Sequence, residues 1–74
     1  MSLQLVDLCA LVADVCEVQS FQPTDDYRSA PLWGSLTAFA LKVTLKRRCA
    51  VDLSLRELNS FSTIQALAQR LGVY

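Results

Sequence analysis

The sequence predicts an all-α fold, a small four-helix bundle of three long helices and one short helix. Apolar residues recur at helical spacing in three segments, capping boxes open the two later helices, and both prolines fall in one long connection. At 74 residues the chain has the size of one small domain, spanning 1–74. A core of this size nets only about 3–5 kcal/mol, so its packing has to be efficient. The apolar fraction of 53% is far above that of a disordered chain.

The first helix is expected from Leu3 to Val18. Leu5, Leu8, Cys9, Val12, Val15 and Cys16 repeat at the helical period, and Val6 and Leu11 widen the stripe. A helix apolar over more than half its circumference is either deeply buried or offers a sticky face to a partner. Gln19 to Gly34 then reads as a connection. It holds Pro23, Pro31, Thr24, Asp25, Asp26 and Ser29, which is turn chemistry. It is long for a helix–helix link, a feature often tied to function. Phe21, Tyr27, Leu32 and Trp33 are placed to pin it to the core.

The second helix is expected from Ser35 to Arg48, with Ser35 as its N-cap and Leu36, Phe39, Ala40 and Val43 as its inward stripe. Lys46, Arg47 and Arg48 in the last turn suit the negative end of the helix dipole. After a turn at Ala50–Leu53, Ser54 and Glu57 form a capping box for a short helix through Asn59. Ser62 and Gln65 form a second box for the last helix. Ile64, Leu67, Ala68 and Leu71 line its inner face, and Gly72 ends it. Antiparallel packing of the three long helices around one core is the economical arrangement.

Charge and cysteine usage exclude several functions. Seven basic residues balance seven acidic ones, so no bulk field draws the chain to nucleic acid or an anionic membrane. The placement is uneven: Asp7, Asp14, Glu17, Asp25 and Asp26 precede residue 27, whereas Lys42, Lys46, Arg47 and Arg48 cluster. Cys9, Cys16 and Cys49 contain no Cys-x-x-Cys pair, and the chain has no His. Buried, reduced thiols are expected, with no metal site. No stretch approaches the roughly 20 apolar residues of a membrane span. The N-terminus lacks a basic region and Asp7 and Asp14 interrupt its apolar run, so a cytoplasmic location is expected. No catalytic constellation is present, because no His offers a base and no Gly-rich loop can cradle a nucleotide phosphate. The chain is not expected to be an enzyme.

One position invites modification. Ser35 follows a long loop at the mouth of a helix, where free N–H groups favour an anion, and Gly34 leaves room to approach its hydroxyl. On local grounds a serine there is more often only a cap.

Trp33-Gly34-Ser35-Leu36 resembles the Asp-Ser-Leu signature of the acyl carrier proteins, many of which carry a tryptophan just before it. The resemblance continues without a gap. Phe39, Val43 and Leu45 fall on apolar positions of that family's second helix, and Val51 and Leu53 on the alternation after it. Leu58 and Phe61 match the third helix, Ser62-Thr63-Ile64 the start of the fourth, and Leu67 and Leu71 its continuation. The aligned part runs from Trp33 to Leu71, and the first helix matches in length and pattern.

The resemblance implies a carrier. A phosphopantetheinyl transferase would attach 4'-phosphopantetheine covalently to Ser35, with coenzyme A as donor and Trp33, Gly34 and Leu36 around the site. The arm's thiol would carry acyl intermediates as thioesters in fatty-acid or polyketide-type biosynthesis. Ketosynthase, acyltransferase or acyl-activating enzymes would be the partners of a monomeric carrier. The sequence departs from the family at two places. Gly34 stands where the family has Asp, and Lys42, Lys46 and Arg47 make the second helix basic where the family is acidic. Complementarity then assigns these cations to partners with acidic or apolar docking faces.

Alternatives remain open at this level. A degenerate carrier-like interaction module without a prosthetic group fits Gly34 and the apolar first helix. A peptidyl carrier usually shows two glycines before the serine, and only Gly34 is present. Thr63 to Val73 resembles the first helix of a helix-turn-helix, but no recognition helix follows it and no basic footprint supports it.

Overall fold

The computed structural model describes residues 3–74; Met1 and Ser2 lie outside it. Four helices form in the predicted order: α1 (Leu5–Cys16), α2 (Ser35–Cys49), α3 (Leu55–Leu58) and α4 (Ile64–Leu71). No strand occurs among the described residues. The bundle measures 30 × 23 × 18 Å.

Helix α1 is shorter than expected at both ends. The Gln4 N–H donates to the Asp7 carboxylate at 3.1 Å, which caps the start. Glu17 turns left-handed at φ 57°, which ends the helix. Leu8, Val12 and Cys16 are fully buried, whereas Val6 stands out to solvent. The Leu5 N–H also donates to the Tyr74 carbonyl at 3.1 Å, tying the chain's end to α1.

Helix α2 corrects two expectations. Its N-cap is Gly34, so Ser35 is the first helical residue and its side chain makes no capping bond. Its inward face is Ala38, Leu41 and Leu45, not the predicted stripe of Leu36, Phe39, Ala40 and Val43. Both stripes have i, i+3, i+7 spacing, so periodicity alone does not choose between them. The charges do. The stripe through Leu36, Phe39 and Val43 continues into Lys46 and Arg47, and burying it would carry those cations toward the core. The stripe through Ala38, Leu41 and Leu45 continues into half-buried Cys49. Leu36 is left 88% exposed, Phe39 55% and Val43 41%.

The later elements follow their caps. The Ser54 hydroxyl accepts from the Glu57 N–H at 3.1 Å, as expected of a box. The Glu57 carboxylate turns instead to Arg70 on α4, at 3.1 Å. Helix α4 starts one residue later than predicted. Its cap is Thr63, which accepts from the Ala66 N–H at 3.1 Å, and Ser62 stays outside. Gly72 at φ 74° terminates it as expected. Ile64, Leu67 and Ala68 are buried, and Leu71 is half-buried.

Cys9 and Cys16 are buried and Cys49 half-buried, all as free thiols. Burial raises all three thiol pKa values, which favours the protonated thiol over the thiolate. No described helix is long and apolar enough to cross a membrane.

Candidate functional site

The connection from Gln19 to Gly34 is ordered by side chains that reach across the bundle. Asp26 caps a short 3₁₀ turn at Tyr27–Ser29 by accepting from the Arg28 N–H at 2.9 Å. The Arg28 guanidinium holds the same carboxylate from the side, which lowers the Asp26 pKa. Tyr27 is fully buried, and its hydroxyl donates to the Leu58 carbonyl of α3. Burial pushes its phenol pKa well above the ordinary value, so the group stays neutral and donating.

Trp33 stands edge-on to the Tyr27 ring, with centroids 5.2 Å apart and planes at 73°. Its indole N–H donates to the Asn59 side chain at 3.0 Å, and Arg28 donates to the Asn59 carbonyl at 2.7 Å. Tyr27, Arg28 and Trp33 thus fasten the loop to the end of α3. This sets where α2 begins. Leu32 faces solvent instead of pinning the loop, but its carbonyl accepts from the Thr37 hydroxyl at 2.7 Å.

Ser35 stands at that beginning, exposed. Its hydroxyl has no hydrogen-bond partner among the described residues, and the N–H groups of Ser35, Leu36 and Thr37 have no acceptor there. The first intrahelical bond is Ala38 N–H to the Gly34 carbonyl at 2.9 Å. An anion bonded to the Ser35 oxygen would meet three unsatisfied donors at the positive end of a helix of 15 residues. Gly34 is extended at φ 179°, and a Cβ built on it meets nothing within 4 Å. Its backbone therefore does not require glycine, and the approach to Ser35 is open. A phosphodiester on Ser35 fits this geometry.

The predicted cations divide in two. Lys42 is half-buried, donating from Nζ to Asp52 and, at 2.9 Å, to the Leu53 carbonyl. It ties the turn after α2 back to the helix and lowers the Asp52 pKa. Lys46 reaches the other Asp52 oxygen at only 3.9 Å, and Arg47 has no carboxylate within 4 Å among the described residues. Lys46 and Arg47 are the outward charges beside Phe39 and Val43. Asn59 and Asp52, which hold the two ends of this face, were not foreseen from the sequence. Each finds its partner only through the fold, and only the Asp52–Lys42 separation of ten residues hints at a pairing across a turn.

A short all-helical bundle with an open serine hydroxyl at the start of its longest helix has the architecture of a carrier domain. The family model for the phosphopantetheine attachment site matches residues 6–71, and the chain belongs to that family. No curated protein and no solved structure matches the chain.

Proposed function

We propose that residues 1–74 act as one acyl carrier domain, with 4'-phosphopantetheine attached to Ser35. The observation that carries this reading is the Ser35 hydroxyl: exposed, without an internal role, and next to three free N–H donors within the matched family region. Ser35 Oγ would form a phosphodiester while the pyrophosphate bond of coenzyme A breaks. Adenosine 3',5'-bisphosphate leaves, and the hydroxyl proton passes to the transferase. The arm supplies a thiol that holds an acyl group as a thioester. This chain's own residues supply the anion-binding helix start, the open approach at Gly34 and a docking face.

That docking face is the outer side of α2. Leu36, Phe39 and Val43 are exposed there beside Lys46 and Arg47, while Lys42 and Asp52 hold the adjoining turn in place. It suits transferase, ketosynthase, acyltransferase or acyl-activating enzymes that present an apolar surface rimmed with carboxylates. The chain carries no catalytic group of its own in this scheme, and fatty-acid and polyketide-type assembly both use such a carrier.

The test is intact mass after incubation with coenzyme A and a broad-range phosphopantetheinyl transferase. A gain of one phosphopantetheinyl group, assigned to Ser35 by fragmentation, is expected. An unchanged mass would favour the interaction module without an arm. Thiol-reactive labels are unsuitable, since Cys49 is only half-buried.

Gly34→Asp is expected to speed this attachment. The added carboxylate has open space and an extended backbone, so it strains nothing. It restores the acid that the carrier family shows before the serine. A hydrogen bond to a charged group is worth about 1.5–3 kcal/mol, and about 1.4 kcal/mol is a factor of ten in rate. The rate of mass gain should therefore rise about tenfold or more; an equal rate in both chains would remove Gly34 from the explanation.

A further inference from the structure

We infer that the outer groove of α2 is a cargo site, shaped for the chain's own arm bearing an acyl group with a free carboxylate. This inference rests on the carrier reading of Ser35 and adds the place and chemical class of the cargo.

Three observations carry it. The first is alignment. Phe39, Lys42, Val43 and Lys46 follow Ser35 at i+4, i+7, i+8 and i+11, so they run in one line down the helix from the attachment point. Lys46 lies about 17 Å along the axis from Ser35, within reach of an extended arm. The second is shape. Phe39, Lys42, Val43, Lys46, Arg47 and Asp52 enclose an open groove of about 280 Å³, and the Phe39 and Val43 side chains give it an apolar wall left uncovered by the bundle.

The third is charge. At the far end Arg47 has no carboxylate partner among the described residues, and Lys46 meets Asp52 only at 3.9 Å. A carboxylate on the cargo supplies the missing partner. Tyr27, Leu41, Leu45, Leu58 and Leu67 are fully buried, and the Tyr27 hydroxyl donates to the Leu58 carbonyl. The groove also belongs to the face proposed for docking, so an acidic partner that takes Lys46 and Arg47 would release the carboxylate as it docks.

The test loads Ser35 from two acyl-coenzyme A donors of equal length, one ending in a carboxylate and one in a methyl group. Amide spectra of both acylated proteins are then compared with that of the holo form. The carboxyacyl protein is expected to shift Phe39, Val43, Lys46 and Arg47 and to leave Leu41, Leu45 and Leu67 unmoved. The extra shifts should disappear in a Lys46→Gln, Arg47→Gln chain, whose spectrum also reports that it is folded. Shifts confined to residues 34–36, equal shifts for the two cargoes, or shifts of Leu41, Leu45 and Leu67 would each overturn the groove while leaving the carrier reading intact. Failure of Ser35 to gain any mass in the unsubstituted chain would overturn both.

Discussion

Ser35→Ala is expected to abolish phosphopantetheine attachment completely while leaving the fold as stable as before. The separation follows from the cap. Were Ser35 the N-cap of α2, its hydroxyl would satisfy a first-turn N–H, and alanine would cost about 1 kcal/mol. In a chain of 74 residues that is roughly 4–8 °C in Tm. Gly34 holds the cap position instead, and Ser35 makes no capping bond. At the first helical position alanine loses nothing and is the better helix former. The change in stability should therefore stay within about 0.5 kcal/mol. Thermal melts and intact mass on the same two samples check both halves. A clear fall in Tm would return the serine to a structural role. Mass gain in Ser35→Ala would move the attachment to another residue.

The same residue shows how far local sequence reaches. Ser35 read as a cap because it is a capping residue type in front of an apolar run. The chain places the cap one residue earlier because Gly34 extends and the loop behind it is held by Trp33 and Thr37. At two other boundaries the local signal is strong and the structure follows it. Ser54 caps α3 and Gly72 ends α4, since each makes its bond within a turn of itself. The core face of α2 was misread, because two apolar stripes of equal spacing lie on one helix and periodicity cannot rank them. The signal that separates them, Lys46 and Arg47 at the end of the Leu36 stripe, is in the sequence, but the expected stripe overlooks it. Leu41 and Leu45 join one core cluster with residues of α1, α3 and α4. That same ambiguity left the outward stripe hidden, and it is the stripe on which docking and cargo depend. Tyr27 and Trp33 were recognisable as loop anchors because large aromatics in a polar segment have few other places to go. Their partners on α3, 26 and 31 residues away, were not.

Tyr27→Ala is expected to be the most damaging single change to the fold. The ring is fully buried, and truncating a large buried aromatic costs about 3–5 kcal/mol. A core in a chain of 74 residues nets only about 3–5 kcal/mol in total. Most or all of the margin would go, and with a urea m-value of about 1 kcal/mol/M the unfolding midpoint should fall by about 3 M or more. Tyr27→Phe separates the two parts of the effect. It keeps the ring and its edge contact with Trp33 but leaves the Leu58 carbonyl without its donor. That costs about 1–3 kcal/mol. Urea titration followed by far-ultraviolet circular dichroism measures both. Trp33, the sole tryptophan, reports the loop separately by fluorescence. In Tyr27→Phe its emission should stay close to the wild type while the chain is folded. In the folded fraction of Tyr27→Ala it should shift to the red, because the indole loses the ring it stands against and the segment before Ser35 comes away from α3. Equal midpoints for wild type and Tyr27→Ala would mean that the loop is not anchored through this ring, and the position of the Ser35 hydroxyl would then need another cause.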